Sequence, residues 1–251
     1  MKQFKWVLSV AALLFCFSSQ ADSISEAASN TPVAEYTQKK FSTSGMNEVA
    51  GRVLTLLVHP LQPNKMWAGT AQGGLWHSTD TGNSWISASV VMRNLPVSSL
   101  TFDPNYPDIM YAGTGEGRSN AIAQRGKGIF KSEDGGASWN LLPLTSPETV
   151  GENWSHINYI TISSEGTVLA ATSDKRRNGF IYRSKNGGQT WGLFPVYTGS
   201  KVGPHNLVHK VRFDPKNPNT AVFMDDYANV THSTDAGMTW NVVRKSSTSC
   251  K

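Results

Sequence analysis

The residues able to do chemistry in this 251-residue chain gather in five polar stretches. They read T-G-E-G-R-S-N-A-I-A-Q-R-G (114–126), T-S-P-E-T-V-G-E-N-W-S-H (145–156), S-D-K-R-R-N-G (173–179), T-G-S-K-V-G-P-H-N (198–206) and D-D-Y-A-N (225–229). They supply carboxylates at Glu116, Asp174, Asp225 and Asp226, cations at Arg118 and Arg176, imidazoles at His156 and His205, and an indole at Trp154. Two carboxylates placed across a glycosidic bond can act as acid and base. An indole flanked by Glu152, Asn153 and His156 can stack on a sugar ring or anchor a peptide. Charged loop residues are also what any solvated surface displays. The spacing Gly113, Gly115, Gly117 is not a phosphate loop, because no helix follows to offer its amides.

What brings these stretches together is a repeat. Residues 78–85 read S-T-D-T-G-N-S-W, 132–139 S-E-D-G-G-A-S-W, 184–191 S-K-N-G-G-Q-T-W and 233–240 S-T-D-A-G-M-T-W. Asp80, Asp134, Asn186 and Asp235 are 54, 52 and 49 residues apart. Each unit begins with an apolar alternating run, such as V-S-S-L-T-F-D-P (97–104), followed by a turn such as P-N-Y-P-D. A second run (D-I-M-Y-A-G-T) and a third (G-I-F-K-S) lead into the octapeptide, and a fourth starts at its Trp. Short alternating runs rich in β-branched and aromatic residues, separated by turn residues, read as strands. Four strands per unit of about 50 residues describe a β-propeller blade, so the expected fold is all-β, with four blades of four antiparallel strands. The octapeptide is then the hairpin between the third and fourth strands. Its Gly allows positive φ, its Asp or Asn accepts hydrogen bonds from the turn's own amides, and its Trp folds back between sheets. Asn186 keeps the acceptor without the charge, which fits a structural role. No acid-rich loop of the kind Ca²⁺ requires is present, so no metal or cofactor is expected.

These octapeptides resemble the Asp-box, or BNR, repeats of sialidases, sortilin-type receptors and the two-propeller xyloglucan-cleaving glycoside hydrolases. Residues 51 to about 243 are most similar to secreted bacterial BNR-repeat proteins, through Gly51 to Trp85 and Tyr111 to Trp139. The resemblance implies the propeller; it is weak for function, since propellers host many activities. A sialidase would carry an Arg-Ile-Pro near its start. None occurs, and M-R-N-L-P (92–96) falls in the wrong blade. The xyloglucan-cleaving enzymes place a catalytic Asp in a T-D-x-G-G stretch of blade one, where this chain reads T-A-Q-G-G (70–74), with Ala71 at the acid's position. Their partner acid belongs to a second propeller.

The chain opens with Lys2 and Lys5, an apolar run, and small residues at the two positions before a cleavage site, so residues 1–21 are expected to be a signal peptide cut after Ala21. Phe15 before Cys16 argues against a lipoprotein. Removing the leader lowers the net charge from +5 to +3 and leaves Cys250 as the one cysteine. No basic, aromatic-interleaved stripe suggests nucleic acid, and no further segment is long enough for stable membrane insertion. The organisation expected is a leader (1–21), an extended segment (22–50), a propeller region (51–245, blades about 51–91, 97–143, 156–196 and 206–244) and a tail (246–251).

Four blades raise the question of closure. A small closed ring, a truncated arc and an arc completed by self-association through open blade edges are all open, and the incomplete propeller is favoured. The five polar stretches belong to one face, where loops of adjacent blades converge. Glu116, Arg118, Trp154, His156, Asp174, Arg176, His205 and Asp225 are the candidate ligand contacts, with Trp154 expected to be exposed beside Glu116, His156 and Asp174. The reading favoured by the residues is a secreted, non-catalytic binding or scaffold propeller that recognises a glycan or a polypeptide. The alternative is a divergent or remnant glycoside hydrolase.

Overall fold

A computed structural model describes residues 51–117, 124–176, 178–193, 207–226 and 228–244. The four units fold as four separate four-stranded antiparallel sheets, each in chain order. Blade one holds β1 (Val53–Val58), β2 (Met66–Thr70), β3 (Leu75–Ser78) and β4 (Ile86–Ser87). Blade two holds β5 (Val97–Phe102), β6 (Met110–Thr114), β7 (Ile129–Ser132) and β8 (Asn140–Leu141). Blade three holds β9 (His156–Ile162), β10 (Val168–Ser173), β11 (Gly179–Ser184) and β12 (Gly192–Leu193). Blade four holds β13 (Val208–Asp214), β14 (Asn217–Asp225), β15 (Val230–Ser233) and β16 (Asn241–Arg244). The first strands pack in series, β1 on β5, β5 on β9 and β9 on β13. This is the radial arrangement of propeller blades.

Alternation along each strand sends apolar side chains to both faces of a blade, so each blade needs a neighbour on either side. Three cores meet that need. Trp67 and Leu75 of blade one bury Val97, Leu100, Met110 and Phe130 of blade two. Tyr111 and Ile129 of blade two pack on Ile157, Ile160, Val168 and Tyr182 of blade three. Leu169, Ala171 and Ile181 of blade three pack on Val208, Val211 and Phe223 of blade four. Among the described residues no apolar core joins blade four to blade one. Polar brackets cross the same seams. Ser98 Oγ donates to the Ile157 carbonyl, and Asn158 Nδ2 to the Val208 carbonyl at 3.0 Å. The approach is close enough that a Cβ on Gly113 would lie 2.5 Å from Ile157 Cγ2.

The octapeptide is the β3–β4 type hairpin, and its polar residues satisfy the turn from within. In blade two, Ser132 Oγ donates to Asp134 Oδ1 (2.8 Å) and accepts from Gly136 N (2.8 Å). The Asp134 carboxylate accepts from Ser138 N (2.8 Å) and Ser138 Oγ (2.6 Å). In blade three, Asn186 Oδ1 accepts from Thr190 N (2.9 Å) and its amide donates to Thr190 Oγ1 (2.8 Å), the same frame without charge. The two residues after the Asp take positive φ, 69° and 86° at Gly135 and Gly136. Trp139 Nε1 then donates to the Gly136 carbonyl (3.1 Å) while its ring enters the core between blades one and two. The fold is nearly all-β. The departure is in 143–154, where Pro143–Thr145, Pro147–Val150 and Glu152–Trp154 form short helical turns, the second started by Ser146 Oγ accepting from Glu148 N.

Replacing Trp139 by Ala removes a buried aromatic and is expected to cost about 3–5 kcal/mol in denaturant unfolding. Parent-like stability would show that the ring does not hold the seam. Hydrogen bonds from Ser138 pull the Asp134 carboxyl down to about 2 from 3.8, and those from Ser84 do the same for Asp80. A depressed folded pKa gives stability that is complete above about pH 4 and lost as pH falls through about 2. Asp134→Asn, which imitates Asn186, should therefore flatten the decline in urea midpoint between pH 4 and pH 2. An unchanged acid slope would contradict this assignment.

Candidate functional site

The loop after β6 reaches across to blade three. Glu116 N donates to Gln124 O (2.9 Å) and Gly126 N to Ser155 O (2.8 Å), which folds the loop back onto the start of β9. Gly117 lies so close to Asn158, Ser173 and the Cβ of His156 that a side chain there would collide with them. Glu116 and His156 thus share one neighbourhood, at the end of β10 beside Asp174. The Glu116 carboxylate is ion-paired with Arg52 and is mostly covered, while Arg52 itself is exposed. His156 is buried, with Nδ1 3.3 Å from the Ser173 carbonyl. Burial holds its pKa below the ordinary imidazole value, partly offset by its bonds to Ser173 and Asp174 and by the charges of Asp174 and Glu152.

The two candidate aspartates close their own loops. Asp174 Oδ1 accepts from Arg176 N and Asn178 N, both at 2.8 Å, and its Oδ2 accepts from Asn178 Nδ2 at 2.7 Å. Asp225 is buried and repeats the frame one blade on, accepting from Asn229 N (2.9 Å) and Asn229 Nδ2 (2.8 Å). The D-x-x-x-N spacing at 174–178 and 225–229 was the readable signal for this. Blades one and two do the equivalent job with threonine: Thr70 Oγ1 accepts from Gly73 N (3.0 Å) and Thr114 Oγ1 from Lys127 N (2.9 Å). Ala71, in the T-A-Q-G-G loop, is nearly buried. Asp226 is ion-paired with His209. Arg176 is exposed; Arg118 and His205 lie outside the described residues.

The expectation for Trp154 is corrected. It is 3% exposed, stacked on Tyr182 at 4.2 Å between ring centroids and edge-on to Trp191 at 5.3 Å, inside the core between blades two and three. The physical reason is the helical turn Glu152–Trp154, which turns the indole inward while Glu152 faces Arg125 at 2.9 Å. Because Trp154 sits outside the repeated octapeptide, its sequence gave no blade position. The exposed-loop reading also missed Tyr159 on β9, whose Oη accepts from Arg212 Nε (3.2 Å) and Nη2 (3.0 Å). Lys210 Nζ and Arg212 Cζ lie 5.9 and 5.8 Å from its ring centre. A tyrosine within the mixed strand H-I-N-Y-I-T-I (156–162) carried no sequence signal for this. Among the described residues, no three His, Cys, Asp or Glu side chains converge as metal ligands, and no helix is long and apolar enough to cross a membrane.

No protein-family model matches the chain. It is similar to xyloglucanases. It is 25% identical over 209 residues to the oligoxyloglucan-reducing end-specific xyloglucanase of Emericella nidulans, covering 77% of this chain and 24% of that protein. It is 26% identical over 188 residues to a xyloglucanase of a Paenibacillus species, covering 61% of this chain and 17% of that one. The chain thus spans about a quarter or less of these relatives. A solved family 74 xyloglucanase of Xanthomonas campestris superposes with a TM-score of 0.56 at 18% identity, over 75% of this chain and 29% of that structure. That superposition establishes the shared propeller fold.

Trp154→Ala should behave as a core deletion, destabilising by about 3–5 kcal/mol. Thermal or denaturant unfolding tests this. A variant as stable as the parent would return Trp154 to the surface.

Proposed function

We propose that this chain is an exported, non-catalytic propeller of the BNR type that recognises a glycan through the loop face of its blades. The glycan class follows from similarity to xyloglucanases, and export from the leader expected at residues 1–21. The observation that carries the non-catalytic half is the state of the carboxylates. Glu116 is bound to Arg52, Asp174 to the Asn178 turn, Asp225 to the Asn229 turn and Asp226 to His209. Glycoside cleavage needs two carboxyl groups free to exchange protons or attack, set across the bond. A carboxylate that ties its own loop cannot be protonated or displaced without loosening that loop. Ala71 adds to this, standing where the resemblance would place an acid.

For binding, Tyr159 replaces Trp154 as the aromatic group. Its ring lies on a first strand, with Lys210 and Arg212 beside it to hydrogen-bond sugar hydroxyls. The Arg52–Glu116 pair, Arg176 and, beyond the described residues, Arg118 and His205 complete the proposed contact set; His156, being buried, holds the loop behind them. Shared stacking and polar contacts of this kind are how rigid scaffolds hold sugars without chemistry.

Calorimetry with xyloglucan oligosaccharides, alongside a reducing-sugar assay, tests the reading. Binding without new reducing ends is expected, with Tyr159→Ala weakening affinity by about 1–3 kcal/mol while the protein stays folded, at a lowered melting temperature because the ring also packs on the core between blades three and four. Turnover abolished by alanine at Glu116, Asp174, Asp225 or Asp226 would establish the hydrolase alternative instead.

A further inference from the structure

Independently of any glycan, the octapeptide turn of blade three differs from the other three in ways that bear on one covalent reaction. Its polar residue is an amide, Asn186, and the next residue is Gly187. The other turns carry Asp80–Thr81, Asp134–Gly135 and Asp235–Ala236 at this place. In an Asn–Gly pair the glycine nitrogen meets the least obstruction on its way to the preceding side-chain carbonyl, because glycine has no Cβ.

That nitrogen is tied in three blades and loose in the fourth. Thr81 N donates to Asn64 O (3.0 Å), Gly135 N to Asp108 O (2.9 Å) and Ala236 N to Asn219 O (2.8 Å). Each acceptor lies where the chain passes from the first strand of its blade into the second. In blade three that passage is a tight turn, closed by Ser163 N to Thr167 O and Gly166 N to Ser163 O, both 2.9 Å. Gly187 N has no acceptor among the described residues, and Asn186 is open to water.

The turn also activates the amide it holds. Asn186 Oδ1 accepts from Ser184 Oγ and from Thr190 N, both at 2.9 Å, which draws electrons from Cγ. Lys131 of β7 reaches over from blade two, its Nζ 3.2 Å from where a Cβ on Gly187 would project, while pairing with Glu133 at 2.7 Å. A cation at this place favours the amide anion that attack on Cγ requires. Two comparable bonds lack the combination. The Asp134 carboxyl is pulled down to about 2 by Ser138, so at neutral pH it is a carboxylate and a poor electrophile, and Gly135 N is tied. Asn178–Gly179 has its glycine buried in β11, paired with Ser173.

From this we infer that Asn186–Gly187 is a self-deamidation site of the folded protein. Gly187 N bonds to Asn186 Cγ, the Cγ–Nδ2 bond breaks, and the glycine's amide proton leaves with that nitrogen as ammonia. Water then opens the succinimide at either carbonyl. One opening leaves an ordinary aspartate, the residue type of the other three turns, which keeps the Ser184 and Thr190 contacts. The other leaves isoaspartate, whose added backbone methylene shifts Gly187 and Gly188 from their bonds to Tyr111 Oη and Trp191 Nε1.

Incubating the folded full chain in mildly alkaline ¹⁸O-labelled water, followed by peptide mapping, tests this. Residue 186 should take up ¹⁸O, and residue 178 about tenfold more slowly. Gly187→Ala, which copies Ala236 with its φ of 56°, should slow labelling at 186 by about tenfold. Lys131→Met should slow it by about fivefold, the worth of one charge at this distance in water, and Lys131→Arg should keep the parent rate. Circular dichroism confirms that each variant is folded. No label at residue 186 of the folded parent, equal labelling at 178, or a parent rate in Lys131→Met would each overturn the inference.

Discussion

The structure depends on the burial of blade faces. A four-stranded sheet with apolar residues on both sides is stable only where each side meets another element, and the helical turns among the described residues, three or four residues each, are too short to cover one. The three seams between blades therefore carry the apolar core, and the close approach at Gly113 shows how little room they leave. The octapeptide turn serves the same constraint. Its Ser and Asp hold the hairpin so that the Trp enters the seam at a fixed angle, and Asn186 shows that the geometry survives without a charge.

The same economy accounts for the loop face. Loops leaving the second strand must fold back to the third, and their amides need acceptors near the blade edge. Threonine supplies one in blades one and two, and aspartate supplies it in blades three and four. What looks in sequence like a set of reactive carboxylates is in the fold a set of turn acceptors and ion-pair partners.

Much of the fold was legible in the sequence because its repeat has a strict grammar. The strand runs, the hairpin role of the octapeptide and the burial of Trp139 and Trp240 follow from spacing and side-chain type. The loops were less legible, because single residues there acquire meaning from neighbours far along the chain. Trp154 read as an exposed platform, yet a three-residue helical turn, unmarked by any periodicity, puts it in a core. Tyr159 sat unnoticed in a strand until blade four brought Lys210 and Arg212 to its ring. The uneven burial of Val53 and Val97, alike in sequence, depends wholly on what lies against each.

The central claim is that the loop-face carboxylates serve the fold, leaving a propeller that binds sugar without breaking it. Its most direct test is to hold the protein at saturating xyloglucan oligosaccharide in ¹⁸O-labelled water and follow the sugar by mass spectrometry. The account predicts oligosaccharide that co-elutes with the protein and keeps its mass and length. Shortened chains carrying ¹⁸O at a new reducing end, formed in proportion to the protein, would contradict it.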